Sequence, residues 1–388
     1  METIRKILPG EISVGEPLPW PVYDVEKALL LQEGTVVRSE KQMNIIMEKG
    51  VYRGMTKDEV VEEKQKEQAK LEDRCKRKPE NPFEMKRSCA KNLQTLIQNL
   101  IEGNKVDAYS LAMDIAKTIK QSCEYNANAT LAAIHLSDEF SYGILHPLHA
   151  ATLSELLMRR LNFTDAQEQT VMASALLMNV GMFELQDQLF SQTEALTEQQ
   201  RIDIHAHPQK SVNILQAAGV EDEHLLKIIL QHHERIDGGG YPKSLTGDII
   251  HQGAKVVSLA DMYAAIITPR AYREPIMAHD ALKKIFVDRG KSVDDHLTQL
   301  LIREVGIYPP GSFVKLVNGD TAIVIKRAIV KKGSSASAPI VSCLISPRGG
   351  LYENPLMRDA NMDMYKITGM AQPEFDEPIN FANFWGFK

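Results

Sequence analysis

The 388-residue sequence has little of what marks secreted, membrane-spanning or nucleic-acid-binding proteins. Its 4 cysteines are widely spaced without a CxxC pair, which argues against a zinc ribbon or a disulfide scaffold. Proline and glycine interrupt the N-terminal stretch METIRKILPGEISVGEPLPWP, and no run of about 18 apolar residues follows. With 45 basic and 51 acidic residues, the formal net charge is -6, so no global field attracts DNA or an anionic membrane. We therefore expect a cytoplasmic protein with neither DNA nor membrane as a partner.

The first three segments of the chain differ in their apolar patterns. Residues 1–55 mix proline and glycine with short apolar runs, which predicts a small α+β module. Residues 56–88 are dense in charge with few large apolar side chains, which is typical of an exposed helical linker. Residues 89–306 repeat apolar side chains at i, i+3 and i+4, which predicts an all-helical domain of about two hundred residues.

The last segment, residues 307–388, changes to a β pattern. Two β-rich runs flank Asn318-Gly319-Asp320, which predicts a hairpin, and PIVSCLIS is a third candidate strand. The aromatic-rich tail from Pro373 onward is expected to pack within the chain. The predicted fold class is mainly α, with a helical domain flanked by a small N-terminal α+β module and a small C-terminal β module.

The segment HHERIDGGGYP is the first candidate for chemistry. The adjacent His232 and His233 end an apolar run and lead into three glycines, Gly238–Gly240, followed by Tyr241 and Pro242. A loop so rich in glycine is entropically costly, which favours close approach of the backbone to a ligand. Alternatively, the glycines only form a sharp turn between helices and the histidines cap the helix C-terminus. The motif alone leaves both interpretations open.

Two further features of the sequence are candidates for binding a metal ion or a phosphate. Asp261 lies in AKVVSLADMYAAII, which is apolar on nearly every face, so its carboxylate needs a metal, a cation or a hydrogen-bond partner. Alternatively, it reaches a solvent edge or pairs with Arg270. Arg270 and Arg273 are three residues apart on one face, a spacing that can grip phosphate oxygens, although they could equally be surface charges. Histidine, aspartate and paired arginines together indicate a metal-assisted phosphoester site.

These motifs resemble those of the HD-GYP domain, a helical subfamily of the HD-superfamily phosphohydrolases. HHERIDGGGYP is similar to the family's HHExxDGxGYP, and VVSLADMYAAIITPRAYRE is similar to its VADxFDALTSxRPYR. GIYPPGSFVKLVNGDTAIV resembles the β extension that commonly follows such domains. The likeness covers residues 142–308, a little under half of the chain. It implies hydrolysis of the bacterial messenger cyclic di-GMP at a two- or three-metal centre.

The resemblance implies roles for individual residues. The implied metal ligands are His146, His207, His232, His233 and Asp261. The implied ligand-binding residues are Arg270, Arg273, Gly238, Gly240, Tyr241 and Pro242. The implied cofactor is a divalent metal, iron or manganese.

The HD motif itself is degenerate. Where the family has HDxGK, about 32 residues after the first histidine, this chain reads Met178-Asn179-Val180-Gly181-Met182, and Tyr142 replaces an acidic residue found in some members. Asn179 lacks the charge that offsets repulsion between two metal ions, and the Met178 thioether is a poor ligand for iron or manganese. We expect one ion, on a remnant of three histidines, or none.

Three hypotheses follow for the function. The first is a degenerate HD-GYP protein that binds cyclic di-GMP in signalling with weak or no hydrolysis. The alternative is an active phosphodiesterase with an altered metal set, in which His149 or His205 could replace a missing ligand. The third is a scaffold that contacts a protein such as a diguanylate cyclase. Homodimer formation is left open.

Overall fold

The computed structural model divides the chain into two compact units, Met1–Pro79 and Glu80–Lys388. The structure describes residues 4–7, 11–23, 29–39, 42–43, 52–54, 81–136, 139–268, 277–328, 338–375 and 379–387. Most of the predicted linker at residues 56–88 lies outside these ranges, so the predicted domain boundaries stay predictions. None of the helices in the described ranges is both long and apolar enough to span a membrane.

The N-terminal unit contains a small antiparallel sheet. Its strands are β1 (Ile4–Lys6), β2 (Val22–Tyr23), β3 (Leu29–Leu31) and β4 (Tyr52–Gly54). They are ordered β1-β4-β2-β3. A small cluster of buried apolar side chains packs in this unit: Ile7, Leu18, Val22 and Val37.

Helices dominate the second unit, as the apolar periodicity predicted. The helices are α1 (Pro82–Ile101), α2 (Ala108–His135), α3 (Tyr142–Met158), α4 (Asp165–Leu177), α5 (Phe183–Ser191), α6 (Glu198–Ala217), α7 (Glu223–Gln231), α8 (Gln252–Ile267), α9 (Ala278–Val287) and α10 (Asp295–Val305). Local capping sets several starts, for example the capping boxes of Thr164 with Gln167 and Thr197 with Gln200. The mainly α fold class is confirmed.

Helix α3 is the central element of the helical core. It is buried on nearly every face and packs against α2, α4 and α8. A helix that is apolar all round belongs in the interior of a domain, where it can hold a polar side chain away from water. Helix α3 therefore places His146 deep inside the fold, where the side chain is 2% exposed.

The C-terminal segment forms a five-stranded antiparallel sheet. The strands are β5 (Phe313–Leu316), β6 (Thr321–Lys326), β7 (Ile340–Ile345), β8 (Leu351–Asp359) and β9 (Ile367–Met370), in the order β8-β7-β6-β5-β9. The predicted hairpin is confirmed, because β5 pairs with β6 and Gly319 between them has φ of 90°. This positive φ explains the glycine at that turn.

The aromatic tail packs within its own unit, as predicted. The indole N–H of Trp385 donates a hydrogen bond to the carbonyl of Ile325 at 3.1 Å, and the ring lies 5.5 Å from that of Phe83. Buried Glu304 also joins the helices to the sheet, because it forms ion pairs with Arg160 at 2.7 Å and Arg327 at 3.2 Å. The sheet is thereby fastened to the helical domain.

Candidate metal centre

Three predicted ligands converge at one point. His207 lies in α6, His232 follows the last residue of α7, and His233 comes next. Their ligand atoms all lie within 4.8 Å of one another, and within the described ranges they form a group of three that could hold a metal ion. The Nε2 atoms of His207 and His232 are 3.2 Å apart. We call these three residues the histidine triad.

Backbone carbonyls fix the tautomers of two triad members. Nδ1 of His207 lies 2.5 Å from the carbonyl oxygen of Ile204, and Nδ1 of His232 lies 2.6 Å from that of Ile229. Because a carbonyl only accepts, each Nδ1 carries the proton and each Nε2 presents a lone pair. Two nitrogens bound at about 2.1 Å to one tetrahedral ion stand about 3.4 Å apart. The facing Nε2 atoms thus have the spacing that a shared cation requires.

The triad is neutral near neutral pH. Burial, together with the neighbouring His232, lowers the pKa of His207 to about 3. Burial likewise lowers the pKa of His232, and it lowers that of His233 well below the ordinary range. Metal ions bind neutral imidazole, so this environment keeps the ligand lone pairs available.

His146 and Asp261 form a second cluster at the meeting of α3 and α8. Nε2 of His146 donates to Oδ1 of Asp261 at 2.6 Å, and the Tyr142 hydroxyl lies 3.2 Å from Nδ1 of His146. Burial is the largest single influence on Asp261 and raises its pKa, but the hydrogen bond from His146 and the electrostatic effects of His146, His233 and His232 together outweigh it and hold the pKa below the usual range. The Asp261 side chain is 14% exposed, and the partner that this largely buried carboxylate requires is thus His146. Its charge also acts on His232 and His233, which places both clusters in one region.

Glu234 fastens the glycine-rich loop, a role that the sequence analysis missed. The carboxylate is buried and accepts the backbone N–H of Lys243 at 2.7 Å and that of Leu245 at 2.9 Å. The backbone N–H of Tyr241 donates to the carbonyl of His233 at 3.1 Å. The sequence did offer a signal for this role, because an acidic residue, Glu234, stands directly after the histidine pair and before the glycine-rich loop.

Two glycines of this loop, Gly238 and Gly240, are required by the chain's own backbone. Gly238 has φ of 80°, a conformation that side chains disfavour. A Cβ atom on Gly240 would lie 2.4 Å from the backbone nitrogen of Arg235 and 2.5 Å from Cα of Glu234. Close packing within the loop therefore accounts for both residues. Ligand contact by the loop, including Pro242 in its cis peptide bond with Tyr241, stays a prediction.

The segment Met178–Met182, which the sequence analysis aligns with the HD motif, lies against the helix that carries His207. Ser211 Oγ donates to the carbonyl of Met178 at 2.7 Å and accepts from the N–H of Gly181 at 2.9 Å. A Cβ on Gly181 would lie 2.8 Å from the carbonyl oxygen of His207. Met178 is fully buried, and buried Asn179 has no hydrogen-bond partner for Oδ1 among the described residues. The segment thus occupies a place beside the triad without offering a charged ligand.

Other predicted residues lie elsewhere or cannot be placed. Arg270 and Arg273 fall outside the described residues. Neither of the two histidines considered as substitute ligands belongs to the triad. His205 is exposed and stacks on Tyr241. His149 lines a separate internal cavity between α1, α2 and α3.

His149 makes the fold sensitive to acid. It is 6% exposed, and in the part of the chain that the structure describes neither ring nitrogen has a hydrogen-bond partner. Burial, with smaller effects of Lys86, His146 and His135, holds its pKa well below 6.5. Below that pH the unfolded chain takes up a proton that the folded chain excludes, so stability falls as pH falls. We expect this residue alone to remove about 2 kcal/mol of unfolding free energy between roughly pH 7.5 and 5.

The substitution His149→Leu should flatten this part of the pH dependence. Urea unfolding at a series of pH values measures it, with the exposed His224→Leu as the matched control. Because other histidines with lowered pKa values remain, such as half-buried His135 with a pKa of about 4, the variant should keep some acid sensitivity. An unchanged slope in His149→Leu would show that His149 is protonated in the folded protein.

Comparison with known proteins shows what the helical region is similar to. Residues 111–297 match the family model described as HD domain. A cyclic di-GMP phosphodiesterase of Pseudomonas aeruginosa is 28% identical over 239 residues, which cover 61% of this chain and 56% of that protein. The cyclic di-GMP phosphodiesterase response regulator RpfG of Xanthomonas campestris is 26% identical over 231 residues, covering 58% of this chain and 60% of the regulator. The chain thus spans less than two thirds of the length of these curated relatives.

One further curated relative and one solved structure also match this chain. A 3'3'-cGAMP-specific phosphodiesterase of Vibrio cholerae is 24% identical over 194 residues, covering 50% of this chain and 36% of that enzyme. Among solved structures, an HDG"Y"P protein of Bdellovibrio bacteriovorus aligns with 77% of this chain and 98% of its own, at 19% identity and a TM-score of 0.48. Residues 111–297 are therefore similar to the HD domain family, and the resemblance of the helical region to the HD-GYP subfamily is confirmed.

Proposed function

We propose that the chain binds cyclic di-GMP over the histidine triad and hydrolyses it weakly or not at all. The observation that carries the proposal is the contrast between two neighbouring parts of the site. The triad keeps converging, neutral nitrogens, whereas the HD segment beside it offers buried Met178 and neutral Asn179. Such a site holds a ligand's phosphates better than it stabilises their cleavage.

The triad fits a divalent metal, for which we propose iron or manganese. His207, His232 and His233 would hold it, and the two fixed tautomers leave Nε2 lone pairs facing each other at 3.2 Å. When bound, the ion would supply Lewis-acid polarisation of a phosphoryl oxygen. The chain's own residues orient this site, since Ile204 and Ile229 hold the imidazoles through their carbonyls.

The second metal position of the proposed site has few ligands. Only His146 and Asp261 remain there, and they are hydrogen-bonded to each other. Two divalent ions about 3.5–4 Å apart repel strongly, and a bridging carboxylate offsets that repulsion. The Asn179 amide supplies no charge, so a compact two-metal centre is disfavoured. Loss of the family lysine at Met182 removes a further positive charge.

Ligand binding would rest on residues outside the triad. We propose that Arg270 and Arg273 bind the phosphates of the nucleotide, because a guanidinium group can donate two parallel hydrogen bonds to phosphate oxygens. The loop that Glu234 fastens would form a wall of the pocket, with Tyr241 facing the triad. We propose cyclic di-GMP as the ligand because the relatives in Pseudomonas aeruginosa and Xanthomonas campestris are named as cyclic di-GMP phosphodiesterases.

A second candidate is an active phosphodiesterase with a single metal ion. The triad geometry favours it, because three histidines with an open position also serve as catalytic metal sites in other folds. The two candidates differ in turnover and not in binding. One experiment can therefore rank them.

The test is anaerobic turnover of cyclic di-GMP by protein loaded with iron or manganese, with chromatography for linear pGpG and GMP. We expect binding of the nucleotide by calorimetry and little or no product. His232→Ala controls for contaminating enzyme, and His224→Ala is the matched exposed-histidine control. Product that disappears only in His232→Ala would favour the active enzyme. Absence of both product and binding would favour a protein scaffold, and 3'3'-cGAMP in parallel would reveal a different nucleotide preference.

A further inference from the structure

Tyr241 lies in a stack of three aromatic rings at the triad. Its ring is parallel to that of His205, with centroids 4.3 Å apart and an interplanar angle of 6°. On the other side it stacks on His233 at 4.7 Å and 27°. The Tyr241 and His207 rings are T-shaped to each other, with 6.4 Å between centroids and 79° between planes. Two triad members thus contact Tyr241 directly, whereas His205 contacts it from the far side.

His205 and His207 face opposite sides of α6. They are two residues apart, which turns a side chain by about 200° around a helix. His207 is fully buried, whereas His205 is exposed. The Tyr241 ring reaches both, so it lies across the border between the triad and solvent.

The backbone of Tyr241 is fixed, but its side chain depends on its neighbours. The N–H bonds to the carbonyl of His233, and Glu234 fastens the residues that follow. These contacts involve backbone groups of the loop and not the Tyr241 ring. The outer face of the ring is packed by His205. Stacked aromatic pairs prefer such close parallel arrangements, which gives the contact a defined geometry.

We propose that His205 is a positioning residue that holds the Tyr241 ring as the outer wall of the triad and thereby slows exchange of the bound metal ion. The inference rests on the metal site of the proposed function. His205 takes no part in ligation, since Tyr241 separates its ring from that of His233. Without the stack, the ring turns outward more often and the triad opens to water and chelators.

The experiment measures metal release from protein loaded with Co²⁺, whose visible absorption reports a bound ion. Excess EDTA is added in a stopped-flow instrument, and the decay of the band is followed for wild type, His205→Ala and His205→Phe. We expect release from His205→Ala to be faster by about threefold to tenfold, the value of one aromatic pair. His205→Phe should remain near the wild-type rate, because phenylalanine keeps an aromatic ring for the stack and lacks the ring nitrogens.

Two controls separate this role from a general loss of structure. His224→Ala removes another exposed histidine, at the start of α7 and away from His232 at its end, and should leave the rate unchanged. Alanine favours helices, so His205→Ala should also unfold at the wild-type temperature. Tyr241→Ala should release Co²⁺ at least as fast as His205→Ala, and the double variant should be no faster than Tyr241→Ala, since His205 acts through Tyr241.

Each outcome decides the inference. A wild-type rate in His205→Ala overturns it and leaves the proposed function intact. Fast release in His205→Phe also overturns it, because the ring nitrogens and not the stack would then matter. If the wild type takes up no Co²⁺ at the triad, the metal site and the inference fail together. If metal release behaves as expected but cyclic di-GMP does not bind, only the proposed function fails.

Discussion

Asn179→Asp is expected to destabilise the metal-free protein and to give it affinity for a second divalent ion. Asparagine and aspartate have nearly the same shape, so the substitution changes charge and little else. The residue is 4% exposed, and within the described ranges its Oδ1 has no hydrogen-bond partner. A buried carboxylate without a partner lowers the unfolding free energy by about 2–4 kcal/mol. A pair of divalent ions at the site would reverse that loss.

Adding Met178→His restores the His-Asp pair of the missing motif, although not its lysine, and should restore turnover. Met178 is fully buried in the helical core, so an imidazole there needs a metal ion or a hydrogen bond. With both ligands present, Asp261 and His146 could exchange their mutual hydrogen bond for a second ion. Metal-ion stabilisation of about 3 kcal/mol in the transition state corresponds to a rate increase of about 100-fold.

Three measurements test this pair of substitutions. Thermal unfolding in EDTA and in Mn²⁺ should show a fall and then a recovery for Asn179→Asp. Metal analysis should give two ions per chain for the double variant, and chromatography should show linear pGpG. Asn179→Ala and Met178→Leu are matched controls that alter the same positions without adding a ligand. A double variant that binds one ion and turns over at the wild-type rate would show that the HD segment does not limit catalysis.

The helical domain was predictable because its signals are local. Apolar residues at i, i+3 and i+4 predict the helices, and Thr164 and Thr197 each start a capping box that four consecutive residues define. The hairpin at Gly319 was predictable for the same reason, since a turn depends on a few neighbouring residues. By contrast, the order of strands in the C-terminal sheet depends on pairings between distant segments.

Site residues could be predicted from the sequence only where the chemical type of the residue itself requires a partner. A carboxylate in an apolar helix needs a partner, which held for Asp261, but its partner is His146, 115 residues away in sequence. The stack of Tyr241 between His205 and His233 joins α6 to the loop after α7, so no local pattern announces it. The same limit applies to Glu234, whose partners are backbone groups nine and eleven residues further along.

Gly240→Ala is the substitution expected to damage the site most directly. A Cβ atom there would lie 2.5 Å from the carbonyl oxygen of His233, besides its collisions with the backbone of Glu234 and Arg235. Backbone atoms cannot turn away as a side chain can, so the loop itself must move. Overpacking alone lowers the unfolding free energy by about 1–3 kcal/mol. Lost hydrogen bonds to Glu234 and to the His233 carbonyl would add to this.

Gly239→Ala provides a matched control one residue away. Its Cβ would lie 3.1 Å from Oδ1 of exposed Asp237, which accepts the Gly239 N–H at 2.8 Å, so this side chain needs to shift by only a few tenths of an ångström. We therefore expect a change within about 0.5 kcal/mol for this variant. Urea unfolding measures both stabilities, and the Co²⁺ absorption band measures the triad, which should weaken only in Gly240→Ala because the displaced backbone carries His233. Equal behaviour of the two variants would mean that the loop does not pack against the turn that follows His232. The metal site would then be independent of the glycine-rich loop, and the loop's glycines would need a ligand to explain them.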